Sequence, residues 1–327
     1  LYTLRGAKVR DALRWSNYID ESIQLFGEAE VYLASHHWPV WGNQRIIDFL
    51  EIQRDTYKYL HDQTVRLFNQ GLTPGEIAEQ LELPASLQTA FHNRGYYGTT
   101  RHNARAVYQG YLGWYDGNPA NLNPHPPVEA ARRYVALAGG SEAMLQQAQA
   151  AFDTADYRWA AELLNHLVFA EPGNTAAKSL LAASYDQLGY QAESGPWRDV
   201  YLSAAYELRH GSPEEGLNVA AMEDVLRQTP VRRFFDSMAA RLNGPDAEGV
   251  ELRVNFVFTD LGESYLLDIS NAVLHHWPSG PDTEADATLN LTHGMFIRML
   301  IGEAGVTDLL LSDELDLEGS KLDLVKF

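Results

Sequence analysis

Apolar residues recur at helical spacing from the start of the chain. Over residues 11–30, Trp15, Tyr18, Ile19, Ile23 and Phe26 form one stripe, with Asp11 placed to cap. The pattern predicts a helix that Gly27 stops. The run Val31-Tyr32-Leu33-Ala34 lacks that period and reads as a short buried strand. From Gly42 to Gln70 the stripe returns as Ile46, Ile47, Phe49, Leu50, Tyr57, Leu60, Val65 and Leu67, predicting a long helix. Thr73-Pro74-Gly75-Glu76 supplies an N-cap, a proline at the first helical position and an acid three residues after the cap. Another helix is expected there, and Pro84 opens a further short element.

Residues 128–210 are rich in Ala and Leu and read as helical throughout. Asp156 to Leu164, then Glu171-Pro172-Gly173-Asn174, then Ala182, Tyr185 and Leu188-Gly189-Tyr190 have the spacing of a tetratricopeptide-like helix pair. One such unit cannot bury both its faces and packs most economically against a second copy of itself. Gly211-Ser212-Pro213 ends this block. After Met222 a helix carrying Val225, Leu226, Val231, Phe234, Phe235 and Met238 leads to three strand patterns, at 252–258, 265–269 and 287–291. These predict a small α+β domain with a mostly antiparallel sheet. With a border in the Pro-rich stretch Asn118–Pro127, the expected organisation is 1–122 (α/β), 123–213 (α) and 214–327 (α+β).

The length of 327 residues fits two or three domains, and 45% hydrophobic residues suffice for their cores. The net charge of −19 argues against nucleic acid, which needs a basic face. It also requires a local cluster of Arg or His wherever an anion binds. Without cysteine, any transition metal must rest on His and carboxylates. No apolar run reaches membrane-spanning length. The chain opens on Leu1-Tyr2-Thr3-Leu4-Arg5 and reads as the later part of a longer protein.

Three clusters are candidates for chemistry. His36 and His37 follow the predicted strand, with Pro39 and Gly42 after them; they are metal ligands at a strand end or a packed aromatic turn. The same tetrapeptide, His-His-Trp-Pro, recurs at 275–278 and reads there as a loop or cleft-facing turn. Arg5, Lys8 and Arg10 can present a guanidinium fork to a tetrahedral oxyanion, or form a solvated basic edge. Tyr96 to Asn103 is the third cluster, with His102 and Asn103 able to donate hydrogen bonds to an anion and His102 a candidate general acid. Tyr108, Tyr111 and Tyr115 have helical spacing, which is more often core or interface. Glu142, Asp153, Asp156 and Glu162 read as a solvated face.

SHHWPVWG at 35–42 and RGYYGTTRHNARAVYQGYLGWYDGNPANLNPHPP at 94–127, with LYTLRGA before them and the helix pair after, resemble the alkylsulfatase branch of the metallo-β-lactamase superfamily. The resemblance implies a zinc-binding αββα catalytic domain, of which 1–122 would be the carboxyl-terminal part. It further implies a helical dimerisation domain at 123–213 and a sterol carrier protein 2-like domain at 214–327. The implied reaction is hydrolysis of alkyl sulfate esters, detergents among them, to alcohol and sulfate at a site of two zinc ions. By the same resemblance His37 or His36, the former favoured, is the last metal-ligating histidine, and Arg5 holds the sulfate. His102 and Asn103 would contact the sulfate, with Tyr108 or Tyr111 as further candidates. The family's His-x-His-x-Asp-His motif is absent from all 327 residues. The remaining ligands are therefore expected in an upstream half, without which no zinc-dependent activity is expected. A homodimer in the periplasm or outside the cell is the expected state. The alternative is a non-catalytic dimeric module that binds apolar ligands.

Overall fold

Asp11 caps helix α1 (Ala12–Leu25), its carboxylate accepting from the Arg14 amide. The computed structural model describes residues 1–214, 216, 222–303 and 315–319. It divides into two units, Leu1–Pro213 and Glu214–Phe327.

In the first unit, strands β1 (Val31–Tyr32) and β2 (Val40–Trp41) form an antiparallel pair before the long helix α2 (Asn43–Phe68). The expected buried strand over 31–34 is thus a two-residue rung of a hairpin, and Val31 is 51% exposed. Among the described residues only β2 pairs with it.

Helix α3 (Pro74–Gln80) starts on the predicted capping box. The Glu76 amide donates to Thr73 Oγ1 and the Thr73 amide donates to Glu76 Oε2. After α4 (Ala85–Gln88), helix α5 (Thr100–Leu112) is capped by Thr99. Ile77 and Leu81 of the α3 region pack with Leu60 and Leu67 of α2 and with Ala104 and Tyr108 of α5. Five helices follow: α6 (Pro127–Leu137), α7 (Ser141–Asp153), α8 (Tyr157–Ala170), α9 (Thr175–Gln191) and α10 (Gly195–His210). Helix α8 packs on α6, α7 and α9 around Met144, Ala148, Leu164, Leu167 and Leu181. Helices α9 and α10 approach closely at Gly189, where a Cβ would stand 2.9 Å from Leu202 Cγ.

The Pro-rich stretch 118–127 is not a gap in the bonding of this unit. The Gly195 amide donates to Tyr96 O, Ser194 Oγ donates to Tyr97 O, and Arg94 donates to Glu193. Arg101 and Arg158 both pair with Glu79.

Among the described residues the helices of the second unit start with α11 (Glu223–Arg227) and α12 (Val231–Arg241). Strands β3 (Leu252–Phe258), β4 (Glu263–Ser270), β5 (Val273–Pro278), β6 (Ala287–Leu291) and β7 (Leu315–Gly319) form a sheet of order β5-β4-β3-β6-β7. Every pairing is antiparallel except β3 with β6. Leu252, Val254, Phe256 and Phe258 alternate onto one face, as a half-buried strand requires. There they meet Phe234 and Phe235 of α12 and Phe296 and Ile297 of α13 (His293–Leu300).

The reading of His275-His276 as a turn is corrected here. Both residues lie in β5, with His276 opposite Leu267 in the ladder. The His276 ring sits on the covered face near Phe235, and its Nε2 bonds Asp236 Oδ1 of α12 at 3.0 Å.

Candidate functional site

The first histidine pair occupies the turn between β1 and β2. His36 takes φ of +67°, a left-handed conformation uncommon for a side-chain-bearing residue, and such strain clusters at functional sites. It turns the chain so that the two neighbouring rings have different surroundings. His37 Nδ1 lies 3.0 Å from Trp38 O. A carbonyl only accepts, so Nδ1 carries the proton and Nε2 presents a lone pair. A backbone carbonyl on the other ring nitrogen is what fixes the tautomer of a metal-ligating histidine. Phe49 of α2 spaces the His37 ring from His92, with centroids 5.3 and 4.5 Å from its own. His92 Nε2 is buried without a hydrogen-bond partner. Burial holds the His92 pKa below the ordinary histidine value, and a second proton on His37 would depress it further.

Beside this turn lies a cavity of about 500 Å³. His36, His92, Arg10, Arg94, Asn103 and Tyr96 are among its walls, and its aromatic side is completed by Trp15 stacked on Tyr57 at 5.6 Å. Arg94 is paired with Glu193, whereas Arg10 has no ion-pair partner among the described residues. Asn103 Oδ1 accepts from the Leu1 nitrogen at 2.9 Å. Asn103 packs so closely on Gly98 that a Cβ there would stand 2.9 Å from Oδ1. The glycine is needed for that approach.

Other expected site residues are placed differently. Arg5 is exposed and lies off this cavity. At Gly6, with φ of +81°, the chain turns, and the Arg10 amide then bonds Leu1 O at 2.8 Å. Of the basic cluster, it is Arg10 that reaches the cavity. His102 lies in the first turn of α5 and not in an open turn. Its Nε2 donates to Tyr2 O at 2.6 Å, and its Nδ1 accepts from Trp197 Nε1 at 3.3 Å. Both ring nitrogens are engaged, and the ring ties the N-terminal segment to α10. Tyr108 is buried in the core, edge-on to Phe68. Tyr111 hydrogen-bonds through its hydroxyl to His61 Nε2 at 2.7 Å, while His61 Nδ1 bonds Asp62. Neither tyrosine lines the cavity.

Among the described residues no three His, Asp or Glu side chains could together hold a metal ion. His37 Nε2 has no hydrogen-bond partner among the described residues, although it is His36 and not His37 that lines the cavity, and the described residues supply no fuller set of metal ligands. Sequence reasoning did not single out Arg94 or His92. Their signal was the polar aromatic density of residues 92–118, which marks a region without ranking its members.

The geometry defines a helical unit bearing a polar cavity beside the histidine turn, joined in sequence to a helix-covered sheet. Residues 73–211 match the family model described as alkyl sulfatase dimerisation, and residues 219–327 the model described as alkyl sulfatase C-terminal. A linear primary-alkylsulfatase from Pseudomonas sp. is 46% identical over 98% of this chain and 48% of its own length. An alkyl/aryl-sulfatase of Saccharomyces cerevisiae is 44% identical over 98% of this chain and 50% of its own. The stereoselective inverting sec-alkylsulfatase Pisa1 from Pseudomonas sp. superposes with a TM-score of 0.92 at 40% identity, covering 99% of this chain and 51% of that one. The chain belongs to the alkylsulfatase family and corresponds to its C-terminal part. It spans about half the length of the curated relatives it matches.

Proposed function

We propose that this chain forms the C-terminal part of a zinc alkylsulfatase, which hydrolyses alkyl sulfate esters to alcohol and sulfate. The observation that carries the reading is 46% identity to a linear primary-alkylsulfatase over 98% of the chain. Residues 1–122 complete a metallo-β-lactamase-type αββα domain, 123–213 form a tetratricopeptide-like unit that makes a homodimer, and 214–327 form a sterol carrier protein 2-like domain.

In this reading His37 gives its Nε2 to one zinc ion, held in the required tautomer by Trp38 O. Two zinc ions, when bound, supply a hydroxide and a Lewis acid. Their other ligands come from upstream sequence. Arg10 and Asn103 bind the sulfate group from the cavity wall, Arg10 because its guanidinium lacks a carboxylate partner among the described residues. The alkyl chain lies against the aromatic side of Trp15 and Tyr57. His102 positions the Tyr2 segment beside Asn103. The expected setting is the periplasm or the exterior, where detergents are met.

The test joins the chain to the upstream half of the Pseudomonas primary-alkylsulfatase and measures sulfate release from dodecyl sulfate and bound zinc. The chain alone is expected to release none. In the joined enzyme His37→Ala is expected to lose zinc and activity together, and Arg10→Ala to lose turnover with zinc retained. Full zinc and full turnover in both His37→Ala and His36→Ala would remove the reading and leave a dimeric carrier of apolar ligands.

A further inference from the structure

Helices α2 and α5 bring together three side chains that the proposed hydrolysis does not use. His61 of α2 is buried. Its Nδ1 lies 2.7 Å from Asp62 Oδ1, and its Nε2 lies 2.7 Å from the Tyr111 hydroxyl in the last turn of α5. A carboxylate only accepts, so in the neutral ring Nδ1 carries the proton and Nε2 offers its lone pair to Tyr111. The phenol is then the donor. Carboxylate, imidazole and hydroxyl stand in the order that activates a hydroxyl for acyl transfer, an arrangement recognised by geometry and not by sequence position. Asp62 also pairs with Lys58. Burial opposes its ionisation, but the bonds from Lys58 and His61 hold its carboxyl below the usual carboxylate range. Tyr111 is 54% exposed while the base behind it is buried, so a reagent from solvent meets the phenol first. Charge and packing select the reagent. The chain carries −19 and Asp62 stands beside the base, which disfavours an anionic donor. The Phe68 ring, 6.0 Å from that of Tyr111, offers apolar surface to an aromatic leaving group.

We propose that Tyr111 is the nucleophile of a triad with His61 and Asp62 and takes an acyl group from a neutral, activated aryl ester. Tyr111 Oη attacks the carbonyl carbon as its proton passes to His61 Nε2. Asp62 stabilises the imidazolium so formed through Nδ1–H. The tetrahedral intermediate then expels the aryl oxygen, which leaves as a phenolate with the electron pair of the broken C–O bond. The acyl group stays on Tyr111 as a phenyl ester. The step uses neither the cavity beside the histidine turn nor a metal ion, so the inference does not rest on the sulfatase reading.

The probe is 4-nitrophenyl acetate, added to the 327-residue chain at pH 7.5. Absorbance follows 4-nitrophenolate release, and peptide mass follows acetylation of each tyrosine. Tyr18, Tyr206 and Tyr190 are more exposed than Tyr111, at 58, 60 and 67%, so exposure alone ranks them ahead of it. The triad reverses that order. Tyr111 is expected to acetylate about a hundredfold faster than these three, the lower end of what a positioned general base contributes. Tyr111→Phe should remove the fast phase of nitrophenolate release. His61→Gln keeps an acceptor for the hydroxyl but cannot take its proton, and should bring Tyr111 down to the rate of Tyr18. Asp62→Asn, at a partly exposed position where folding is not at stake, should slow Tyr111 at least about tenfold, as loss of the orienting carboxylate does in such triads, with Tyr18 unaffected; Asp62→Glu should restore part of the rate. Acetylation of Tyr111 no faster than that of Tyr18 would overturn the proposal, and so would a fast rate that both His61→Gln and Asp62→Asn leave unchanged.

Discussion

Replacing His102 with Phe tests the joint between the N-terminal segment, α5 and α10. The phenyl ring retains the stacking surface towards Tyr2 and the edge contact with Trp197, at 6.0 and 6.3 Å between centroids in the native protein. It removes both hydrogen bonds. Tyr2 O and Trp197 Nε1 lose their partner, and a buried group so orphaned costs about 1–3 kcal/mol. The ring is partly exposed and the Trp197 bond is long at 3.3 Å, so the lower end applies there. The sum is about 2–3 kcal/mol. Six of the seven tryptophans fall in the first unit, Leu1–Pro213, so tryptophan fluorescence during urea unfolding reports chiefly on it. The variant should unfold earlier at pH 7.5. The pH dependence supplies a second readout. Burial first, with smaller contributions from the Leu1 ammonium and then Arg105, holds the His102 pKa below its usual 6.5, against the opposing bond to Tyr2 O. The unfolded ring then takes up a proton that the folded ring resists. This contribution to stability is full above the unfolded pKa and is lost as pH falls from about 6.5 towards the lower folded value. Phenylalanine lacks that loss, so the gap between native and variant should narrow at pH 5.5. An unchanged stability at pH 7.5, or a gap that widens on acidification, would refute the assignment of a neutral, doubly bonded ring.

Three further substitutions probe the scaffold. Gly189→Ala forces a Cβ to within 2.9 Å of Leu202 Cγ and should cost about 1–3 kcal/mol in the same urea assay; native stability would mean that α9 and α10 separate freely. Thr73→Ala removes the cap of α3 and should cost about 1 kcal/mol, read as the loss of amide exchange protection in the first turn of that helix. In the second unit Asn255 is buried and holds the Asp282 amide and carbonyl as well as Thr288. Asn255→Ala should lower that unit's midpoint and raise protease sensitivity around residues 279–286, and an unaltered cleavage pattern would count against the anchoring role.

The helices were legible because their determinants are local. Asp11, Thr73, Asp156 and Asn174 each accept from an amide three residues on, so a short window of sequence suffices. The strands at 252–258 and 287–291 were legible from alternation alone. The site was less so, because its contacts are remote. His102 meets Tyr2 and Trp197, which are 100 and 95 residues away. Gly98-Thr99-Thr100 reads as a turn, yet Thr99 is the cap that places His102 inside a helix. Arg5 and Arg10 are equivalent as members of a basic cluster; the turn at Gly6 separates them, and composition carries no sign of it.

The repeated His-His-Trp-Pro shows why a short motif has no chemistry of its own. In the second copy the ladder with β4 fixes the backbone, and His276 turns its ring inward. One ring nitrogen is committed to Asp236 and the other is buried without a partner. A ligand could reach neither without opening the sheet. In the first copy the hairpin is only two rungs long, so the turn is free to take the left-handed angle at His36. His37 then satisfies Nδ1 on the carbonyl of the next residue and keeps Nε2 unbonded. A short hairpin that cannot bury its own side chains is therefore what leaves an imidazole free to ligate, and the long ladder is what prevents it at 275–278. Extending the first hairpin by further rungs would be expected to seal His37 as β5 seals His276.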